Sequence, residues 1–159
     1  MFTSRRDLVF VALIASLLGS RRANAQGQAH ALLVGKWRHI ALVRVIDGNT
    51  LAPQHFNGET IAEFKSDGTW SAIGPNSRSA GTYRWLDADQ IEQTIVESNL
   101  AIQLGQVSIK QIRVDSSRLN IVVTQRREDM ERYMPPAAPG VRRPNEVTVT
   151  TIFSRMPPE

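Results

Sequence analysis

The sequence predicts an all-β protein, an eight-stranded and mostly antiparallel meander that either closes into a barrel or folds as a two-sheet sandwich. Three observations favour this class: short runs of alternating apolar and polar residues, compact turn signals between those runs, and almost no helical periodicity. Because the chain has 159 residues and shows no repeat of fixed period, we expect one domain.

The first 25 residues have the layout of a cleavable export signal. A basic start precedes an apolar run from Leu8 to Leu18, and Ala23-Asn24-Ala25 forms a small-x-small cleavage site. The apolar run is too short to span a bilayer, which makes a helical membrane anchor the weaker alternative. Arg5 and Arg6 resemble the twin-arginine export motif, and the choice between that route and ordinary secretion stays open.

Removal of the signal changes the net charge of the chain. The whole sequence carries +4, and residues 1–25 contribute +3 of it through four arginines and Asp7. The mature chain therefore has 15 Lys and Arg against 14 Asp and Glu, a net charge of +1. This balance supports neither a nucleic-acid partner nor binding to an acidic membrane surface.

The sequence contains no cysteine, which excludes disulfides and a lipid anchor near the cleavage site. We therefore expect a mature protein, free of a membrane anchor, in the periplasm or outside the cell. Its stability has to come from its core alone, and about 134 residues are enough to build one.

The predicted barrel domain spans residues 34–156 and follows an N-terminal tail over 26–33. Its first strand opens with Gly35-Lys36-Trp37 and ends at the turn Asp47-Gly48-Asn49. Gln26–Ala31 and Pro157–Glu159 are expected to be loose ends. Seven further strands are predicted. ETIAEFK and TWSAIG form a hairpin around Asp67-Gly68, and AGTYRWLD and QIEQTIVES follow. QVSIKQIRVD and RLNIVVTQ then form a hairpin around Ser116-Ser117, and EVTVTTIFSR is the last strand.

Two segments do not fit a simple strand. Asn99–Gln106 is compatible with a helical turn, a bulged strand or a bend at Gly105. Residues 126–145 form a long loop before the last strand, and its prolines exclude regular helix and central strand. Just before those prolines, EDMERYM is able to form one or two helical turns. A loop this long in a compact domain is usually functional or disordered.

Alternation within the strands predicts which side chains face the interior. The first strand is assigned an inner face with Trp37, Ala41, Val43 and Val45, and a solvent face with Arg38, Ile40, Leu42 and Arg44. The inward set of large side chains is Trp37, Phe64, Trp70, Tyr83, Trp85, Leu119 and Ile121. Burial of such side chains contributes roughly 1.5–3 kcal/mol each, which is how a barrel stands without disulfides.

Three short motifs carry a resemblance to a known family. They are Gly35-Lys36-Trp37 at the start of the first strand, EFKSDGTW in the next hairpin, and GTYRWLDAD from Gly81 to Asp89. Together they resemble the small, exported, bacterial lipocalin-like domain family over about Leu33–Arg155. The resemblance implies an up-and-down barrel whose apolar interior holds a small lipophilic ligand, although a small barrel is also able to be filled by its own side chains. The candidate ligand-binding residues are Trp37, His39, Phe64, Trp70, Tyr83 and Trp85.

Catalytic, metal and cofactor chemistry is not predicted. His30, His39 and His55 lack the spacing of a metal site, and the aspartates at 67, 87 and 89 occupy turn positions where Asp bonds its own backbone. No nucleophile elbow or phosphate-binding glycine loop is present, and an enzyme on this scaffold needs a polar interior that the alternation does not display. We therefore predict a protein that is not an enzyme and takes no cofactor.

The long loop provides a second hypothesis, a protein-interaction or inhibitor module acting through residues 126–144. It combines apolar residues with arginines next to Pro135-Pro136, a mixture that suits a protein partner. A lid across one barrel mouth and a solvated excursion without a partner are the alternatives. The candidate partner-binding residues are Arg127, Met130, Arg132, Tyr133, Met134, Arg142 and Arg143.

Overall fold

The computed structural model describes residues 27–133 and 137–157, and this part of the chain folds as a closed antiparallel barrel. The predicted export signal over residues 1–25, Met134 and the last two residues lie outside the described residues. The barrel has eight strands: β1 Gly35–Ile46, β4 Ile61–Phe64, β5 Thr69–Ile73, β6 Arg78–Asp87, β7 Gln90–Ser98, β8 Val107–Val114, β9 Arg118–Arg126 and β10 Glu146–Arg155.

Closure of the barrel comes from pairing between the first and last strands. Each barrel strand pairs with the next along the chain, and β10 returns to pair with β1 over most of their lengths. The predicted eight-stranded barrel is thus confirmed over the sandwich. Two short strands that were not predicted, β2 Asn49–Thr50 and β3 Gln54–His55, add to the edge of β1 beyond its pairing with β4.

The turns form where the sequence places them. Asp47 and Gly48 have φ angles of 46° and 82°, and Val45 pairs with Thr50 across them, which is a two-residue hairpin turn. At the next hairpin Gly68 has a φ of 81°, and the Asp67 carboxylate accepts hydrogen bonds from the backbone N–H and the hydroxyl of Thr69. Asp67 is therefore a turn residue, as predicted.

The predicted faces of the first strand are wrong beyond His39. His39 lies opposite Phe153 and Ala41 lies opposite Ile152, so one extra residue, Ile40, bulges out of β1. Because opposite residues share a face, the bulge turns Ala41, Val43 and Val45 away from the side that holds Trp37. Leu42 then lies on the inner face, opposite Thr151, and so does Arg44, opposite Val149, although both were predicted on the solvent face.

One end of the barrel is closed by a helix, α1, over residues 27–33, a segment expected to be mostly a loose tail. Leu33 is fully buried in the core, and its carbonyl accepts a 2.8 Å hydrogen bond from the Trp37 indole. The Arg155 guanidinium lies 4.4 Å from the centre of the Trp37 ring and donates to the carbonyls of Leu32 and Val34. These contacts fix α1 across this end, which we call the closed end.

The opposite end carries the irregular segments. Asn99–Gln106 contains the 3₁₀ helix η1, Ala101–Gln103, followed by a bend at Gly105, so the helical-turn reading is confirmed. The long loop after β9 begins with helix α2, Arg127–Tyr133, where helical turns were predicted. Within residues 27–133 and 137–157, no helix is long and apolar enough to cross a bilayer.

The core is one cluster that fills the closed half of the barrel. Of the seven side chains predicted to face inward, six are buried, and Trp85 is partly exposed but packs against the same cluster. Ile91, Ile112 and Phe153 belong to the cluster as well and were not named from the sequence. The aromatic rings pack edge to face, as Phe64 and Tyr83 do with centroids 5.3 Å apart.

Candidate functional site

The cross-strand register shows which polar side chains face the barrel interior. Tyr83, a core residue, lies opposite Gln93 on β7, and Gln93 lies opposite Ser108 on β8. Ile91, which is fully buried, lies opposite Lys110. Since directly opposite residues share a face, Gln93, Ser108 and Lys110 all point inward. The interior therefore holds polar groups, which strand alternation alone does not predict.

Burial of the inner wall changes along the barrel axis. Near the closed end Trp37, Ile91 and Leu119 are completely buried. Toward η1 the inward-facing side chains are only partly buried, so solvent reaches the interior there. We call this region the open half, and its inner wall includes Leu42, Ala72, Ser79, Ile95, Ser108, Val123, Val149 and Thr151.

The wall of the open half has a fork between β8 and β9. These strands pair only where Gln111–Val114 of β8 meets Leu119–Val122 of β9. Nearer η1, the first residues of β8 pair with β7 alone, and β9 pairs with β10. Pairing of β8 with β9 begins at Gln111. Lys110, the residue just before it in the chain, therefore lies at the base of the fork.

Lys110 places a cationic side chain among aromatic and apolar groups. Its ammonium nitrogen lies 6.0 Å from the centre of the Trp70 ring on β5, at the outer range of a cation–π contact. In the described part of the chain no carboxylate pairs with it. Burial without a compensating anion lowers the pKa of Lys110 to about 8.

Two further polar groups near Lys110 lack hydrogen-bond partners. Gln93 is 3% exposed and its amide oxygen is unpaired among the described residues, as is the indole N–H of Trp85. Trp85 lies opposite Ile91, which lies opposite Lys110, so the three polar side chains share one sector of the wall on β6, β7 and β8. A buried polar group without a partner is uncommon, and a bound molecule is one explanation for it.

Hydrogen bonds hold η1 at the mouth of the open half. The hydroxyls of Ser79 and Ser98 both donate to the side-chain oxygen of Gln103, at 3.0 and 2.9 Å. The rim next to this network is apolar, since Leu100, Ile102 and Leu104 are about half exposed. The mouth thus combines a hydrogen-bonded polar network with apolar side chains that face solvent.

Five of the six predicted ligand-binding residues fall into two groups. Trp37, Phe64 and Tyr83 belong to the closed half, where the Tyr83 hydroxyl donates to the Lys65 carbonyl at 2.7 Å. Trp70 and Trp85 border the sector that contains Lys110. The ligand-binding role of all six stays a prediction.

His39, the sixth predicted residue, is enclosed by aromatic rings on the inner face of β1. Its ring centroid lies 4.3 Å from that of Phe56 and 5.3 Å from that of Phe153. Burial lowers the pKa of His39, and the hydrogen bond to the Ala41 carbonyl opposes this shift. A neutral, stacked imidazole is therefore part of the wall near neutral pH.

The long loop is tied to the barrel at its two ends. The Arg127 guanidinium donates to the Arg143 carbonyl at 2.9 Å and to the Asn145 side chain at 2.6 Å, and Met130 is buried. Arg132 and Arg142 are exposed. Partner binding through Arg127, Met130, Arg132, Tyr133, Met134, Arg142 and Arg143 stays a prediction, and the buried Met130 supplies none of the exposed apolar surface expected of it.

Part of the polar interior had a signal in the sequence. Gln93 shares the parity of Ile91 and Ile95 within QIEQTIVES, so strict alternation places it on the inner face. Lys110 had no such signal, because both faces of QVSIKQIRVD mix apolar and polar residues. The face of β8 is decided by its pairing with β7, which the sequence alone does not provide.

No protein-family model, curated protein or solved structure matched the chain. Residues 27–133 and 137–157 contain no cluster of three or more side chains suited to a metal ion.

Proposed function

We propose that this is an exported, non-catalytic binding protein that holds a small apolar ligand in the open half of the barrel. The observation that carries the proposal is the difference in burial along the inner wall. Side chains near the closed end are fully buried, whereas Ile95 and Val123 pack against the same core and are only partly buried toward η1, where solvent reaches the inner wall. Interior space of this kind is where small barrels bind ligands.

The chemistry of the inner wall supports an apolar ligand. Ile95, Val123 and Val149 lie on the inner faces of three strands, and Ile95 and Val123 pack against the core cluster that contains Trp70 and Phe153. Each square ångström of apolar surface removed from water contributes about 25 cal/mol, so a lipophilic molecule gains by entering. The apolar rim of Leu100, Ile102 and Leu104 gives such a molecule favourable contacts at the mouth.

Two serine hydroxyl groups at the mouth of the open half support binding over catalysis. Ser79 and Ser98 donate to the amide oxygen of Gln103. A nucleophilic serine needs a base, such as histidine or a carboxylate, to take its proton, and an amide oxygen does not serve that purpose. These serines therefore act as structural groups at the mouth.

Native mass spectrometry on the mature, gently purified protein tests the proposal. We expect a noncovalent mass above that of the Gln26–Glu159 polypeptide, lost on denaturation, or uptake of decanol when the protein is isolated empty. Ser108→Phe places a ring in the open half and is expected to abolish uptake. Ile109→Phe is the matched control, because Ile109 is the next residue of β8 and its side chain, 58% exposed, lies on the outer face. This variant should retain decanol uptake. Equal uptake by both variants, or none by the wild type, would overturn the proposal.

A further inference from the structure

We propose that the ligand carries a carboxylate group and that Lys110 and Gln93 bind this group inside the barrel. The inference rests on the proposed function and adds the chemistry of the ligand's polar end. The ligand class is a small amphiphile, with an apolar body in the open half and an anionic head against β7 and β8.

Charge complementarity is the first argument. The Lys110 ammonium lies inside the barrel next to Trp70, and no carboxylate of the described residues pairs with it. An ion in a poorly solvated interior interacts more strongly with an opposite charge than it does in water. A ligand carboxylate would supply the missing anion, and no neutral head group would do so.

The position of Gln93 is the second argument. Gln93 and Lys110 are diagonal neighbours on the inner faces of paired strands, because Ile91 lies opposite Lys110 and Gln93 lies opposite Ser108. The buried Gln93 amide has an unpaired oxygen, and after rotation by half a turn the amide presents its NH₂ group instead. A carboxylate has two oxygens, so one is able to accept from the ammonium and the other from this amide.

The location of Lys110 at the fork between β8 and β9 is the third argument. A ligand in the open half has its head near the base of the fork if its body lies against Ile95, Val123 and Val149. The lowered pKa of Lys110, about 8, still leaves the ammonium mostly protonated at pH 7. A carboxylic acid is ionised at that pH, so both partners carry the required charge.

Calorimetric titration with decanoate and with 1-decanol, at pH 7, tests the inference. These probes share a ten-carbon chain and differ in the charge of the head. We expect the wild type to bind decanoate at least about ten-fold more tightly than decanol, as a charge-assisted contact provides. Lys110→Met should remove this preference while keeping decanol binding. Lys65→Met, which removes the same charge from an exposed turn, should keep the preference.

Two further measurements separate the inference from a general effect of the substitution. Gln93→Leu should weaken decanoate binding and leave decanol binding unchanged. Raising the pH from 7 to 10 should weaken decanoate binding to the wild type, because Lys110 loses its proton, and should not affect decanol. Equal binding of the two probes by the wild type would overturn the carboxylate inference and leave the proposed function standing. Binding of neither probe would overturn both.

Discussion

At the scale of single residues, the interior lysine is the feature that ordinary core packing does not explain. A largely buried ammonium loses part of its hydration, and Lys110 recovers only a long contact with the Trp70 ring, 6.0 Å from its centre. Residues that lower stability in this way are typical of binding sites, where the cost is offset when the ligand arrives. The unpaired oxygen of Gln93 belongs to the same pattern.

Lys110→Met is therefore expected to stabilise the ligand-free protein at pH 7. The pKa of Lys110 falls from 10.5 to about 8 on folding, which corresponds to a penalty of up to about 3 kcal/mol for the charged form. Between pH 8 and 10.5 the folded protein has released this proton while the unfolded chain still holds it. The wild type therefore gains stability over this window, and the difference from the variant shrinks.

Urea unfolding from pH 7 to 10.5 measures this difference directly. Lys65→Met provides the control, because the Lys65 side chain is exposed. The stability of this variant should follow that of the wild type from pH 7 to 10.5. A variant at position 110 that is less stable than the wild type at pH 7 would show that the ammonium is not a buried, uncompensated charge.

At the scale of elements, the pairing of β6 with β7 depends on a glycine. A Cβ atom at Gly81 would lie 1.9 Å from the carbonyl oxygen of Thr94, which is backbone and has little room to move. Gly81 also lies opposite Trp70, whose indole N–H reaches the same carbonyl at 3.3 Å. The register shift next to Gly81 brings the two strands into this close contact.

Gly81→Ala should destabilise the protein by at least about 2 kcal/mol, since an overpacked core forces backbone shifts. Chemical denaturation monitored by tryptophan fluorescence measures the loss, because Trp70 reports on this site. Gly27→Ala is the matched substitution: among the described residues, outside its own helix and chain neighbours, no atom lies within 4 Å of the added group, and the change should be neutral or stabilising by up to about 1 kcal/mol. Similar stabilities for the two variants would mean that β6 and β7 do not approach each other this closely.

The two ends of the barrel also differ at this scale. Helix α1 closes one end through Leu33, whose side chain is fully buried, and through Arg155, which bridges α1 and the last strand. The other end has only the one-turn η1, held by the Gln103 hydrogen bonds. Because no longer helix covers the η1 end among the described residues, we expect a ligand to enter the barrel there.

At the scale of the whole molecule, local patterns were enough to predict the strand count, whereas the family resemblance was needed to choose a closed barrel over a sandwich. Each of the eight strands has its own alternation and turn residues, such as Asp47-Gly48 and Asp67-Gly68, and both signals are local. The pairing of β10 with β1 joins residues more than a hundred positions apart, and no local pattern distinguishes it from a sandwich. Topology of this kind is decided by the packing of the complete chain.

The site was harder to predict than the barrel for two physical reasons. The bulge at Ile40 reverses the faces of the second half of β1, so counting by twos placed Leu42 on the wrong side. Residues 27–33 of helix α1 contain only two large apolar side chains, Leu32 and Leu33, and so show no helical period, and contacts of Leu33 and Arg155 dock this segment on the barrel. Without these two features neither the open half nor the closed end is visible from the sequence.

Nuclear Overhauser contacts between bound decanoate and the methyl groups of the protein test most directly whether the open half is a binding site. Methyl labelling of Ile and Val gives probes on both faces of the wall. We expect contacts from the decanoate chain to Ile95, Val123 and Val149 on the inner face. Contacts confined to the exposed outer residues Val107 and Ile109 would contradict the proposed site.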